Sequence, residues 1–370
     1  MRHRVVELLA GDGSTASDGR VANTQGIERK GLYRILVCRP NHRLGNLLML
    51  TPLLAELARD YPGAQVDLVV GGEQATKLFR GFPNVGTVHA LPRHALRQPW
   101  KLLRVLHRLR LQHYDLAIDP DVGSRSSRLL VDHCRATHRI GFAGKKRSRQ
   151  LDCAMPIPDS TRHMGQLPVA LLRWAMRLDQ PDRPGNSIPA LDLRLTAAER
   201  AWGRQKLDAV LGCGQDRARL PVIALYIHAT AAKCHPRDWW LQLLAALRSS
   251  FPHALFVEIL PAHGQTGLDG LVPGYFSSKP RRVAAVIAAT RMIVAADCGI
   301  MHLACASRGP VVVGLFQCTD PEVYGPYGSG NCAISTNGRD PIDICASLGR
   351  EGDIKDVLRL GFRRPGTDAD

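Results

Sequence analysis

The residues with the most chemical content are Asp297-Cys298-Gly299-Ile300-Met301-His302. They follow an apolar run, Met292 to Ala296, and open a second apolar stretch with helical spacing. A carboxylate where a strand ends, a glycine that lets the chain turn and a helix with unspent N–H groups together make a site for an anion. The free N–H groups and the positive end of the helix dipole both favour a phosphate. His302, about one turn on, is placed to face the same ligand. A lone histidine in an apolar helix is more often a satisfied core residue, but the Asp-x-Gly-x-x-His spacing on a strand-to-helix turn shifts the reading to function.

A second loop of interest is Arg39-Pro40-Asn41-His42-Arg43-Leu44-Gly45-Asn46, which runs into an apolar helix containing Thr51-Pro52. Gly45 permits close backbone approach, and the N–H groups there favour an anion or a hydroxyl under attack. The plainer reading is a turn capped by Asn46. No GxGxxG and no GxxxxGK[ST] occurs, so dinucleotide oxidoreductases and P-loop kinases lose their main support. HExxH and paired Cys/His metal spacings are missing as well.

These loops require strands to end where they begin. In the first half the β-type runs are 34–38, 66–70, 86–91, 114–119 and 139–142, with helical stretches at 46–60, 73–80, 99–111 and 124–136. A second series places strands at 222–227, 255–260, 292–296 and 311–316, with helices at 196–210, 237–250, 281–290 and 299–307. No internal sequence repeat is visible. The alternation predicts an α/β protein of two doubly wound, Rossmann-like domains facing a central cleft, with ligands beyond the strand C-termini. The expected division is a mobile extension at 1–30, a domain at 31–185, a linker marked by Pro181, Pro184, Gly185 and Pro189, a domain at 190–350, and a helix or tail at 351–370.

The chain has 370 residues, with 49 Lys and Arg against 33 Asp and Glu. The excess is uneven: residues 1–150 hold 25 basic and 12 acidic residues, a net of +13, and the remainder nets only +3. That skew predicts an anionic partner for the first half. The helix at 99–111 carries Lys101, Arg104, Arg108 and Arg110 beside an apolar face, a pattern suited to anionic lipid headgroups or to a solvated arginine face. A further cluster, Lys145, Lys146, Arg147 and Arg149, falls in an expected loop. With 5% aromatic residues the chain offers few stacking platforms, so nucleic acid is not the expected partner. Ten cysteines with no CxxC pair fit a reducing cytoplasm. No run approaches the ~18 apolar residues of a membrane span, so any membrane contact is expected to be peripheral.

Across residues 34–330 the sequence resembles glycosyltransferase family 9, the lipopolysaccharide heptosyltransferases. The resemblance rests on Gly45, Thr51-Pro52 and Tyr61-Pro62, on Tyr114 to Asp119, and on His228 to Lys233 before Trp239. Above all it rests on Asp297 to Ala304 with Phe316 to Pro321 and Gly325-Pro326. It implies a GT-B fold and metal-independent, inverting transfer of a heptose from a nucleotide sugar, usually ADP-heptose. The acceptor is then an anionic glycolipid of the lipopolysaccharide core or a related surface glycan, held by the N-terminal half at the inner-membrane surface. By the same resemblance Lys233 meets the diphosphate with Thr230 beside it. Asp297, Cys298, Gly299 and His302 line the nucleotide-sugar site, Cys298 standing where the family usually has Thr.

One departure matters. The family usually has Gly-Asp in the first loop, the Asp being a candidate base, whereas this chain has Gly45-Asn46. An amide cannot accept the acceptor's proton. Three expectations follow: His42, Asp119 or Asp121 serves as base, His42 being favoured by its ordinary pKa near neutrality; Asn46 only orients the acceptor; or the protein is a weak or inactive member that binds nucleotide sugar or anionic glycan.

Overall fold

The computed structural model describes residues 27–28, 30–93, 97–144, 151–157, 163–177, 187–212, 220–328 and 330–348. The N-terminal extension up to residue 26, the Lys145–Arg149 cluster, the linker residues Pro181 to Gly185 and the tail at 351–370 lie outside the described residues. The chain divides into two compact units, Met1–Pro189 and Ala190–Asp370.

The first unit holds a sheet of β1 (Arg34–Arg39), β2 (Gln65–Gly71), β3 (Val85–Leu91), β4 (His113–Asp119), β5 (Arg135–Phe142) and β6 (Cys153–Met155). The second holds β7 (Val222–Tyr226), β8 (Leu255–Ile259), β9 (Gly274–Tyr275), β10 (Met292–Ala296), β11 (Val311–Phe316) and β12 (Cys332–Ser335). Their orders are β3-β2-β1-β4-β5-β6 and β12-β11-β10-β7-β8-β9. Counted from the first strand of each unit, both orders are 3-2-1-4-5-6, the doubly wound arrangement. The chain thus repeats a topology without repeating a sequence. The strand order reverses between β1 and β4, where Ile35 pairs with Leu116, and between β7 and β10, where Ile223 pairs with Met292. All pairings are parallel.

Parallel strands covered on both faces read as continuous apolar runs, which is why the central strands stood out in the sequence. In the second unit Trp240, Leu243, Leu244 and Leu247 of the helix Arg237–Ser250 pack with Ile223, Leu225, Val294 and Leu315. In the first, Leu36, Cys38 and Ala117 pack with Leu106, Leu109 and Val131. Each unit also carries an arginine–glutamate pair between two helices, buried in the first and partly buried in the second. Arg173 donates to Glu56 at 2.7 Å in the first unit, and Arg281 to Glu199 at 2.7 and 2.8 Å in the second. Glu199 also completes a capping box with Thr196. Gly203 on the same helix lies so close to its neighbour that a Cβ there would sit 2.0 Å from the Ala285 carbonyl oxygen.

Several expected boundaries move. The single helix at 46–60 is two, Leu44–Leu48 and Thr51–Asp60, because Pro52 in the first turn of the second has no N–H to continue the first. The helix expected at 73–80 is a 3-10 turn, Glu73–Lys77. The one expected at 124–136 ends at His133, since Arg135 already pairs with His113 as β5 begins. The strands β6, β9 and β12 and the helices Leu167–Ala175, Pro321–Tyr324 and Pro341–Leu348 had no counterpart in the sequence reading.

Candidate functional site

In the second unit three loops converge at the C-terminal ends of β7, β10 and β11. Asp297 follows β10, is 4% exposed, and is anchored by its own N–H to the Leu315 carbonyl at 3.0 Å. Its Oδ2 lies 2.6 Å from Lys233 Nζ, which comes from the 3-10 turn Ala231–Lys233 after β7. The same oxygen accepts the hydroxyl of Thr319 from the loop after β11. Gln317, its amide nitrogen turned inward, donates to the carbonyls of Ala232 and Cys234 at 3.0 and 2.9 Å. The Lys233 ammonium also sits 5.8 Å from the centre of the Tyr324 ring, a cation–π distance. Lys233 retains 29% side-chain exposure, so it is both held and open on one side.

The helix Gly299–Ser307 starts at this point with Cys298 as its N-cap. Burial pushes the Cys298 thiol up to about 12, against the pull of the Ile300 and Met301 N–H groups. The sulfur is therefore a neutral thiol at physiological pH, a polar but uncharged stand-in for a hydroxyl. Gly299 is half-buried in the first turn, and His302, one turn on, is buried. Thr230, which precedes the lysine turn, is exposed. Asp297, Cys298, Gly299 and Lys233 thus gather at one strand end, whereas His302 lies inside the protein rather than at its surface.

Beside this cluster the sequence reading missed Glu258, at the end of β8. It has no exposed surface, yet accepts the Gly267 N–H at 2.9 Å and the Thr266 hydroxyl, and faces His228 Nε2 at 3.8 Å. Burial alone raises its pKa, but the nearby His228 and the hydrogen bonds from Thr266 and Gly267 outweigh it and hold the group below the usual range. A single glutamate inside Leu-Phe-Val-Glu-Ile was its only signal.

In the first unit, the loop after β1 carries His42, Gly45 and Asn46. Asn41, not Asn46, secures this turn: its Oδ1 accepts the Arg43 N–H at 2.9 Å, Arg43 is the N-cap, and Asn46 lies within the helix, half-buried. His42 is exposed and rests against β2, where a Cβ on Gly71 would come 2.7 Å from both the Asn41 carbonyl oxygen and His42 Nδ1. The Gly71-Gly72 pair is what lets this loop settle, a determinant visible in the sequence only as two adjacent glycines after a strand.

Asp119, the last residue of β4, is 1% exposed and accepts from Ser127 Oγ at 2.6 Å and Arg128 Nε at 2.8 Å. Burial raises its pKa despite these donors. Both donors sit on the helix Arg125–His133 that follows, so the carboxylate ties strand to helix. Asp121 stands 3.8 Å from the wholly buried Arg39. Of the groups considered as base, His42 is the one exposed to solvent. Among the described residues no group of three His, Cys, Asp or Glu side chains is arranged to hold a metal ion, and no helix is long and apolar enough to cross a membrane.

Comparison with known proteins addresses the class. Residues 280–342, which contain the Asp297 loop and its helix, match the model of glycosyltransferase family 9 (heptosyltransferase). The chain is 27% identical over 307 residues to the lipooligosaccharide heptosyltransferase 2 of Haemophilus ducreyi, covering 79% of this chain and 86% of that protein. Among solved structures, a family 9 glycosyl transferase from Veillonella parvula aligns with a TM-score of 0.69 at 16% identity, over 90% of this chain and 97% of that one. The E. coli ADP-heptose LPS heptosyltransferase II aligns with a TM-score of 0.63 at 18% identity, over 88% and 98%.

The twin doubly wound fold is the GT-B arrangement of the solved structures it aligns with, and the matched segment and the relative make the chain similar to glycosyltransferases. Within that class the resemblance read from the sequence is borne out: the chain is similar to glycosyltransferase family 9, and its relatives there are heptosyltransferases.

Proposed function

We propose that this glycosyltransferase moves a heptose from ADP-heptose to an anionic glycolipid of the lipopolysaccharide core or a related surface glycan, with inversion, on the cytoplasmic side of the membrane. The second unit holds the donor and the first the acceptor. The observation that carries this reading is the ammonium of Lys233, fixed 2.6 Å from Asp297 beside the N-terminus of the helix Gly299–Ser307.

Displacement at the anomeric carbon builds negative charge on the departing diphosphate. A lysine already held by Asp297, whose carboxylate Thr319 fixes in turn, stabilises that charge without reorganising, as does the positive end of the helix Gly299–Ser307. Thr230 and the Cys298 thiol line the same surface, and Glu258, at the strand end where doubly wound folds hold a ribose hydroxyl, is the group to test for the nucleoside. In the first unit His42 takes the acceptor's proton, and Asn46 orients the acceptor. Since cationic groups supply the electrostatics, turnover is expected to survive EDTA; activity lost in EDTA and restored by Mg²⁺ would overturn that point.

The testing experiment is a mass-spectrometric transfer assay with ADP-heptose and truncated lipopolysaccharide acceptors, run on wild type and on Asn46→Asp, with donor-only controls. A heptose-sized mass gain from wild type supports the reading and places the base elsewhere than residue 46. Asn46 also favours a second reading, a donor-binding protein on a transferase scaffold. Product from Asn46→Asp alone would select it.

A further inference from the structure

The helix Pro99–Leu111 buries Val105, Leu106 and Leu109 against the first unit. At 100° per residue, Trp100, Leu103, Arg104, His107 and Leu111 fall on its opposite side. Trp100 is 79% exposed, Leu103 53% and Leu111 66%. Among the described residues nine large hydrophobic side chains are exposed, and three of them lie on this one helix. Isolated exposed apolar residues are ordinary, whereas a cluster marks a contact surface.

The same face is cationic. Lys101, Arg104, Arg108 and Arg110 flank or interrupt the apolar residues, and the helix contains no carboxylate. Lys101 pairs at 2.9 Å with Glu73 across an exposed surface, a contact easily exchanged. Arg110 also lines a cleft of about 600 Å³ with His113, His133, Arg135 and Arg139, where Asp132 is the single acid. Positive charge therefore continues from the helix onto the surface beside it.

We propose that the helix Pro99–Leu111 is the surface by which this protein docks on a bilayer containing anionic lipid. Trp100, Leu103 and Leu111 seat at the boundary of headgroups and acyl chains, and the arginines bend their stems along the helix to reach the phosphates. A neutral apolar protein partner would leave Arg104, Arg108 and Arg110 facing it uncompensated. A nucleic acid would give the leucines nothing to bury against. The proposal deepens the glycolipid-acceptor reading and rests on it for its purpose, but its test reads lipid binding alone, so failed transfer and failed docking are separate results.

The experiment is sedimentation of the full chain with vesicles of phosphatidylethanolamine and phosphatidylglycerol, phosphatidylcholine vesicles being the neutral reference. Wild type is expected to bind the anionic vesicles and to weaken as salt rises. Arg104→Glu with Arg108→Glu is expected to weaken binding at least about tenfold, and Trp100→Ser with Leu103→Ser to remove the part that survives high salt. Arg204→Glu with Lys206→Glu, on an exposed face of the second unit, changes net charge equally and is expected to leave binding within about twofold. Melting curves of all variants establish folding. Absence of wild-type binding, equal loss in the Arg204/Lys206 control, equal binding to phosphatidylcholine, or full displacement by inorganic phosphate would each overturn the proposal.

Discussion

The two points of strand-order reversal place a carboxylate in the same position and use it differently. In the first unit Asp119 ends β4 and takes its donors, Ser127 and Arg128, from the helix that immediately follows. In the second, Asp297 follows β10 and takes its donors from the loops after β7 and β11, Lys233 and Thr319. The first arrangement closes on itself. The second bridges three loops and leaves a lysine partly open. A topological position therefore supplies opportunity, and the origin of the partners decides whether a charge is closed off within the fold or left partly open.

The largest expected effect falls on the closed arrangement. Arg128→Ala strands a buried carboxylate, and breaking such a pair costs about 3–5 kcal/mol; chemical denaturation should show that loss while donor affinity stays unchanged. On the open arrangement the order inverts. Lys233→Ala should lower kcat by about a hundred- to a thousandfold with a smaller loss of melting temperature than Arg128→Ala, since water enters beside Asp297 where the lysine was already part-exposed, as read from transfer kinetics and calorimetry. If instead Lys233→Ala destabilised the protein as much as Arg128→Ala, the contrast would collapse.

A smaller effect tests the loop after β1. Gly71→Ala presses a Cβ against backbone atoms of Asn41 that cannot swing away, costing about 1–3 kcal/mol, and it should impair transfer while sparing donor binding. The smallest concerns Cys298. Its folded pKa of about 12 exceeds the ordinary value of 9.0, so the native state holds this proton more tightly. Its stabilising contribution is whole below pH 9 and fades as pH rises towards 12. Cys298→Ser should flatten that part of the urea-unfolding profile, and an unaltered slope would contradict it.

The central strands were legible because burial on both faces writes them as unbroken apolar runs; Met292–Ala296 and Val311–Phe316 were read to the residue. The edge strands were not. Cys153–Met155 and Gly274–Tyr275 are too short to carry a pattern and exist because a neighbouring strand offers them hydrogen bonds. The helix Gly299–Ser307 was legible from its glycine and its apolar content, and with it Asp297. The contact between Asp297 and Lys233 was not readable from spacing, since 64 residues separate them and only the parallel pairing of β7 with β10 brings them together. Likewise Asp119 reads as a reactive carboxylate until Ser127 and Arg128 are seen to fold back upon it. Glu258 hid inside an apolar strand because its donors, Thr266 and Gly267, lie in a loop with no pattern of its own.

On the proposed reading the second unit's open cluster binds the donor and the first unit's closed cluster is scaffold. Titration calorimetry of ADP-heptose into the full chain tests it most directly, with Lys233→Ala and Arg128→Ala alongside wild type. The predicted result is a Kd at least about tenfold weaker for Lys233→Ala, as loss of a charge-assisted phosphate contact implies, and a Kd within about twofold of wild type for a folded Arg128→Ala. Undiminished binding by Lys233→Ala would contradict the claim.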